Sequence, residues 1–253
     1  MKNEKLYKLC KAEEAIATIH GWDFSHIASR YEMGNLPWDY REAVLKHLRP
    51  DMQILDIDTG GGEVLLSLGH PHWNTAAMEN YPPNVALCTE TLIPLGIDFR
   101  AGDSGGKYPF EDSRFDLVLD RHGNFNVSEI CRVLKPGGLF ITQQVGAEND
   151  RELVALLGYD TSPAFSEQYL SVTADKFRAA GFEILEQNEV FSPIRFFDVG
   201  ALTWFARVIP WEYPDFSVDT HWNYLLETQK VLEDRGVIEG SVHRFFLIAR
   251  KQA

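Results

Sequence analysis

The sequence predicts an α/β protein whose mostly parallel sheet is covered by helices on both faces. Short apolar runs read as buried strands, helical stretches alternate with them, and the glycine-rich turn "DTGGG" (58–62) joins the first clear strand to a helix. Strands that alternate with helices in this way build βαβ units and a parallel sheet.

Residues 1–50 read as a polar helical cap carrying Trp22, Phe24, Tyr31, Trp38 and Tyr40, with Pro37 placed in the first turn of a helix that spaces Val44, Leu45 and Leu48 along one face. "QILDI" (53–57) is the first strand and "NTAAMEN" (74–80) a second, weaker one. "PNVALCTETLIPLG" (83–96) is helical and "IDFRA" (97–101) extended. "FDLVLD" (115–120) and "LFITQQV" (139–145) are buried strands, separated by the helix "VSEICRVL" (127–134) that "KPGG" ends. "ADKFRAAGFEILEQNEVF" (174–191) reads as helix, glycine turn and strand, and "VHRFFLIAR" (242–250) as a final strand. Residues 51–191 and 242–253 therefore form the expected core, and 192–241 an insertion whose Trp204, Trp211 and Tyr213 are either a lid or its own core.

Lys and Arg number 24 against 37 Asp and Glu, a net charge of −13, which disfavours a nucleic-acid partner because phosphate backbones are held mainly by cations. The N-terminal stretch lacks the apolar core of a secretory signal, and no run approaches a membrane span. Three widely spaced cysteines, Cys10, Cys88 and Cys131, suit a reducing compartment, so the expectation is a cytoplasmic protein without a membrane partner.

Two stretches carry chemistry. Gly102-Asp103-Ser104-Gly105-Gly106 fits the spelling of a hydrolase nucleophile elbow. An elbow needs a helix directly after the serine, whereas "GGKYPFEDSRFD" is a loop, so Ser104 is not expected to be a nucleophile. The same stretch is one residue short of a phosphate-binding loop and has Tyr108 where that motif needs the Ser or Thr hydroxyl that binds magnesium. His70 and His72 lack companion ligands at metal spacing and read as a surface turn.

The second stretch is "ILDIDTGGGEVLLSL" (54–68). A strand, a tight glycine turn and a helix start bring backbone N–H groups to the sheet end where ligands bind. Glu79 closes the next strand at the distance suited to ribose hydroxyls. A dinucleotide fingerprint fails, since counting from Gly60 its last small position falls on Leu65 and counting from position 58 its first glycine is Asp58. Asp58 beside Asp56 would repel a pyrophosphate and suits a cationic ligand better.

Several ordered motifs here resemble the class I S-adenosylmethionine-dependent methyltransferases. "ILDIDTGGG" resembles their first motif, with Asp58 where the family has Gly or Ala; "MEN" resembles the ribose-binding acid; "AGDSGGKYPFEDSRFDLVLDRHGNF" resembles the run from the adenine-pocket acid to the fourth strand; and "RVLKPGGLFITQQV" resembles the following helix, turn and strand. The resemblance covers about residues 50–150, with "AAGFEILE" and "RFFLIARK" fitting the last two strands. It implies a Rossmann-like, doubly wound, seven-stranded sheet and methyl transfer from S-adenosylmethionine to a small-molecule acceptor. It further implies a cofactor site of Asp56, Asp58, Thr59, Gly60, Gly61 and Gly62 at the methionine end, Glu79 and Asn80 at the ribose, Gly102, Asp103 and Ser104 at the adenine, and Asp120 and Arg121 nearby.

His122 is the candidate general base, since an imidazole titrates near neutrality, with a loop-ordering role weighed evenly against it. Two other functions stay open: a non-catalytic binder of S-adenosylmethionine or S-adenosylhomocysteine, suggested by Asp58, and an NAD-dependent oxidoreductase, disfavoured by Leu65 and Asp58.

Overall fold

The computed structural model describes residues 2–18 and 24–252, so Trp22 lies outside the described residues. In chain order the elements are α1 (Lys2–Ile16), β1 (Tyr31–Met33), α2 (Tyr40–His47), β2 (Ile54–Ile57), α3 (Glu63–Ser67), β3 (Thr75–Glu79), α4 (Pro82–Thr91), β4 (Asp98–Ala101), β5 (Phe115–Arg121), α5 (Val127–Val133), β6 (Leu134–Val145), α6 (Arg151–Leu156), α7 (Leu170–Ala179), β7 (Phe182–Phe196), α8 (Val199–Val208), α9 (Trp222–Arg235) and β8 (Ile238–Lys251). Three-residue 3-10 turns sit at 25–27, 72–74 and 93–95.

The strand order is β1-β7-β8-β6-β5-β2-β3-β4, eight strands among the described residues where seven were expected. The additional strand is β1, from the segment read as helical, and it pairs antiparallel with β7 through Tyr31 and Phe196. Three residues are too few to display the alternation that marks a strand. The β2–β3, β2–β5, β3–β4 and β5–β6 pairs are parallel, and β6–β8 is antiparallel. Every residue of β2 and β3 is buried. Strands covered on both faces read as continuous apolar runs, which is why "ILDI" was legible.

The chain divides into two compact units. One comprises 1–36, 146–166 and 191–243, and the other 37–145, 167–190 and 244–253. The boundary therefore falls at 36/37 rather than 50, because Tyr40, Ala43 and Val44 of α2 are buried with Ile54, Leu65 and Leu117. Asp39, not Pro37, opens that helix, and its carboxylate accepts the Glu42 N–H at 3.0 Å. Residues 146–166 join the other unit because Leu153, Val154 and Leu157 are buried with Leu202 and Leu225. Trp204 and Tyr213 belong to that same core, whereas Trp211 is exposed.

In the sheet-bearing unit Phe140 stacks on Phe177 at 4.9 Å, and both are fully buried. Phe140→Ala is expected to cost about 3–5 kcal/mol in urea denaturation, as large-to-small changes in packed cores do. Trp73→Ser, at a side chain 79% exposed, is expected to change stability by less than about 0.5 kcal/mol.

Candidate functional site

The chain runs outward from β2 to β3 and β4 and then returns to place β5 on the other side of β2. Loops after β2 and β5 thus diverge from neighbouring strands, the switch point at which open α/β sheets bind ligands. The loop after β2 is the glycine turn. Gly60 and Gly62 have φ of 64° and 84°. A Cβ on Gly62 would lie 2.9 Å from the terminal Leu92 Cδ2, and the left-handed φ is what calls for glycine there. Thr59 N–H donates to the Met78 carbonyl at 3.1 Å, and Thr59 Oγ1 donates to Asp56 Oδ2 at 2.6 Å.

Glu79, at the end of β3, is 4% exposed and accepts four hydrogen bonds. Oε1 takes the backbone N–H groups of Asn80 at 2.9 Å and Tyr81 at 3.0 Å; Oε2 takes Gly60 N–H at 2.9 Å and Asn84 Nδ2 at 3.3 Å. The acid is thereby joined to the glycine turn, 19 residues away. Cys88 Sγ reaches the Gly60 carbonyl at 3.1 Å from α4, and burial pushes its thiol up to about 11.

Asp58 stands in the left-handed region at φ 48°, a conformation Asp tolerates better than most side chains. Its Oδ2 accepts from Ser104 Oγ at 2.7 Å and from Asn124 N–H at 3.0 Å. One carboxylate therefore fastens the loops after β2, β4 and β5 together. Ser104 is buried, followed by a loop, and gives its proton to Asp58, so it is not arranged as a nucleophile. Asp103 is exposed beside it and accepts from Gly105 N–H at 2.9 Å. Gly102 N–H donates to the Glu79 carbonyl at 3.0 Å. Glycine is required at 123, where a Cβ would lie 2.6 Å from Asp58 Cβ and 2.9 Å from Asp120 Oδ2.

Asp120 is fully buried at the end of β5, where Gln144 Nε2 and the Gly123 N–H both donate to its Oδ1. Asp58 Oδ1 and Asp120 Oδ2 are buried without a hydrogen-bond partner among the described residues. Such atoms cost free energy unless a ligand or proton answers them. Burial pushes Asp56 up to about 7 and raises Asp58, and it raises Asp120 well above the carboxylate range, with neighbouring carboxylates adding to each shift. Arg121 follows Asp120 and is exposed. His122 has φ 63°, and its Nε2 lies 2.8 Å from Gln143 Nε2.

Glu79, Asp58, Ser104, Asp120 and the glycine turn thus share one linked set of loops. Asn80, Asp103 and Arg121 lie at its exposed margin. Sequence reasoning missed Asn84, Asn124, Gln143, Gln144 and Trp38. The glutamine pair was legible in principle, since two adjacent polar residues inside an apolar strand must both find partners when buried. His70 and His72 turn to separate backbone carbonyls, Met52 and Leu95, at 2.9 and 3.1 Å. Among the described residues no group of three or more His, Cys, Asp or Glu could hold a metal, and no helix is long and apolar enough to cross a membrane.

A doubly wound sheet with a glycine turn joined to an acid on the next strand is the architecture of class I S-adenosylmethionine-dependent methyltransferases. Residues 55–142 match the family model of the methyltransferase domain. It is 29% identical over 176 residues to the ubiquinone/menaquinone biosynthesis C-methyltransferase UbiE of Geobacter sulfurreducens, covering 58% of this chain and 64% of that protein. It is 30% identical over 151 residues to sterol 4-C-methyltransferase strm-1 of Caenorhabditis elegans, covering 55% of this chain and 39% of that one. The chain therefore spans less than two thirds of these curated relatives. The solved structure of the YcgJ protein from Bacillus subtilis superposes with a TM-score of 0.58 at 17% identity, covering 85% of this chain and 98% of the other, and so shares the fold.

The buried acids set a pH dependence. Asp56 has its folded pKa raised from 3.8 to about 7, so its contribution to stability is complete below pH 3.8 and is lost as pH rises through about 7. The melting temperature of the ligand-free protein is expected to rise between pH 7.5 and about 5. Asp56→Asn, scanned by calorimetry over the same range, is expected to flatten that slope.

Proposed function

We propose that this protein transfers the methyl group of S-adenosylmethionine to a small-molecule acceptor by in-line displacement. The observation that carries the reading is the direct bond between Glu79 and the glycine turn, set beside two buried carboxylate oxygens, Asp58 Oδ1 and Asp120 Oδ2, that have no hydrogen-bond partner among the described residues. A sulfonium and an ammonium are cations, so the Asp56 and Asp58 carboxylates suit them, whereas the same pair would repel the pyrophosphate of NAD. The match of residues 55–142 to a methyltransferase domain supports the same choice.

Asp56, Asp58 and the 60–62 turn would hold the methionine end. Glu79 would accept from ribose hydroxyls, the 3.3 Å contact of Asn84 being the weakest of its four bonds and the readiest to yield. Asp103, exposed in the loop after β4, would accept from the adenine amino group, with Gly102 and Ser104 beside it. Bound S-adenosylmethionine supplies an already activated methyl group. The protein's task is then to orient the acceptor and exclude water, which lowers barriers by about 7–11 kcal/mol in favourable cases. The similarity to a ubiquinone/menaquinone biosynthesis C-methyltransferase and to a sterol 4-C-methyltransferase supports an apolar small molecule as acceptor.

Calorimetric titration with S-adenosylmethionine, S-adenosylhomocysteine and NADH tests the reading. Saturable binding of the first two and not the third is expected, and turnover to S-adenosylhomocysteine with an acceptor separates an enzyme from a binder. Glu79→Ala, shown by circular dichroism to remain folded, is expected to weaken cofactor binding about 10- to 100-fold, the range for losing hydrogen bonds to a charged group. Unchanged affinity would remove Glu79 from the site.

A further inference from the structure

Trp38, Gln143 and His122 form a chain of hydrogen bonds whose direction follows from chemistry alone. Trp38 Nε1 lies 2.8 Å from Gln143 Oε1. An indole nitrogen only donates, so the atom facing it is the amide oxygen and the amide nitrogen faces the other way. That nitrogen, Gln143 Nε2, lies 2.8 Å from His122 Nε2. An amide NH2 also only donates, so His122 Nε2 presents its lone pair, and the proton of the neutral ring sits on Nδ1. The backbone adds a second clamp, because His122 N–H donates to the Gln143 carbonyl at 2.8 Å. Trp38 is itself held by stacking on Phe246, with ring centroids 5.9 Å apart.

We propose that Trp38 and Gln143 are positioning residues that fix His122 as a neutral imidazole protonated on Nδ1, so that it acts as a hydrogen-bond donor and not as the general base. A base would need the Nε2 lone pair that Gln143 already occupies, and an imidazolium would set N–H against N–H. The charged neighbours act in the same sense: desolvation, then Arg244 on β8 and Arg121 on β5, hold the imidazole well below its ordinary value of 6.5. Asp120, on β5 two residues before it, is itself raised well above the carboxylate range and supplies no fixed counter-charge. The consequence for the acceptor rests on the methyltransferase reading. The substrate this residue suits carries a carbonyl or anionic oxygen able to accept from Nδ1–H, and it needs no proton removed by His122.

The test is nitrogen-15 spectroscopy of the histidine rings in the full-length, ligand-free protein, with His122 assigned by its loss in His122→Asn. The expected result is a protonated Nδ1 and an unprotonated Nε2, unchanged from pH 8 to 5.5. A ring protonated on Nε2, or an imidazolium forming with a midpoint near 6.5, would overturn the proposal. Trp38→Phe removes the donor that sets the amide, and the expected result is a mixture of both tautomers; an unaltered spectrum would show that the relay does not set the proton. Gln143→Glu faces Nε2 with a carboxylate and is expected to bring the midpoint up into the 5.5–8 window. The outcome is separable from the cofactor question: a wrong tautomer with intact S-adenosylmethionine binding sinks this proposal alone, and a correct tautomer without binding sinks the methyltransferase reading alone.

Discussion

The loops at the carboxyl ends of the parallel strands are held in place by two carboxylates, and the rest of the site depends on them. Glu79 gathers four donors from its own turn, from α4 and from the glycine loop. Asp58 joins the loops after β2, β4 and β5 through Ser104 and the Asn124 backbone. A carboxylate is an acceptor with about four lone-pair positions and no proton to place, so it can collect N–H groups from several segments at once. Without such collectors, the left-handed glycines that shape the turn would leave its backbone donors exposed or unpaired.

That arrangement concentrates negative charge where the sheet is most buried. Asp56, Asp58 and Asp120 are all shifted toward their protonated forms, and two of their oxygens find no partner among the described residues. Fold stability is therefore linked to pH through one set of groups, whose buried charges cost free energy at neutral pH. Asp58, where the motif it resembles has Gly or Ala, adds to that concentration of charge. Asp58 spends one oxygen on loop geometry and leaves the other for charge.

The fold alone does not choose the chemistry, because doubly wound sheets carry many activities on the same frame. What narrows the choice here is the site: a glycine turn tied to an acid and an acidic lining, with a domain match over 55–142. His122 stands at the end of β5 with its ring orientation set from β6 by Gln143 and from the segment before α2 by Trp38.

By itself the sequence determined the alternation of strands and helices, the glycine turn and the position of Glu79, because each is a local matter of period, backbone freedom and spacing. The same locality ruled out Ser104 as a nucleophile, since a loop follows it. What needed the tertiary structure was everything set by distant partners. β1 became a strand only through its pairing with β7, and α2 joined the sheet-bearing unit only through Tyr40 and Val44 meeting the core. Asp58 was legible as a departure from the family pattern, but not as the tie between three loops, because Ser104 and Asn124 lie 46 and 66 residues away. The setting of His122 was least legible of all. An imidazole near neutrality suggests a base, and the indole whose donor orients Gln143 beside that ring lies 105 residues from the glutamine.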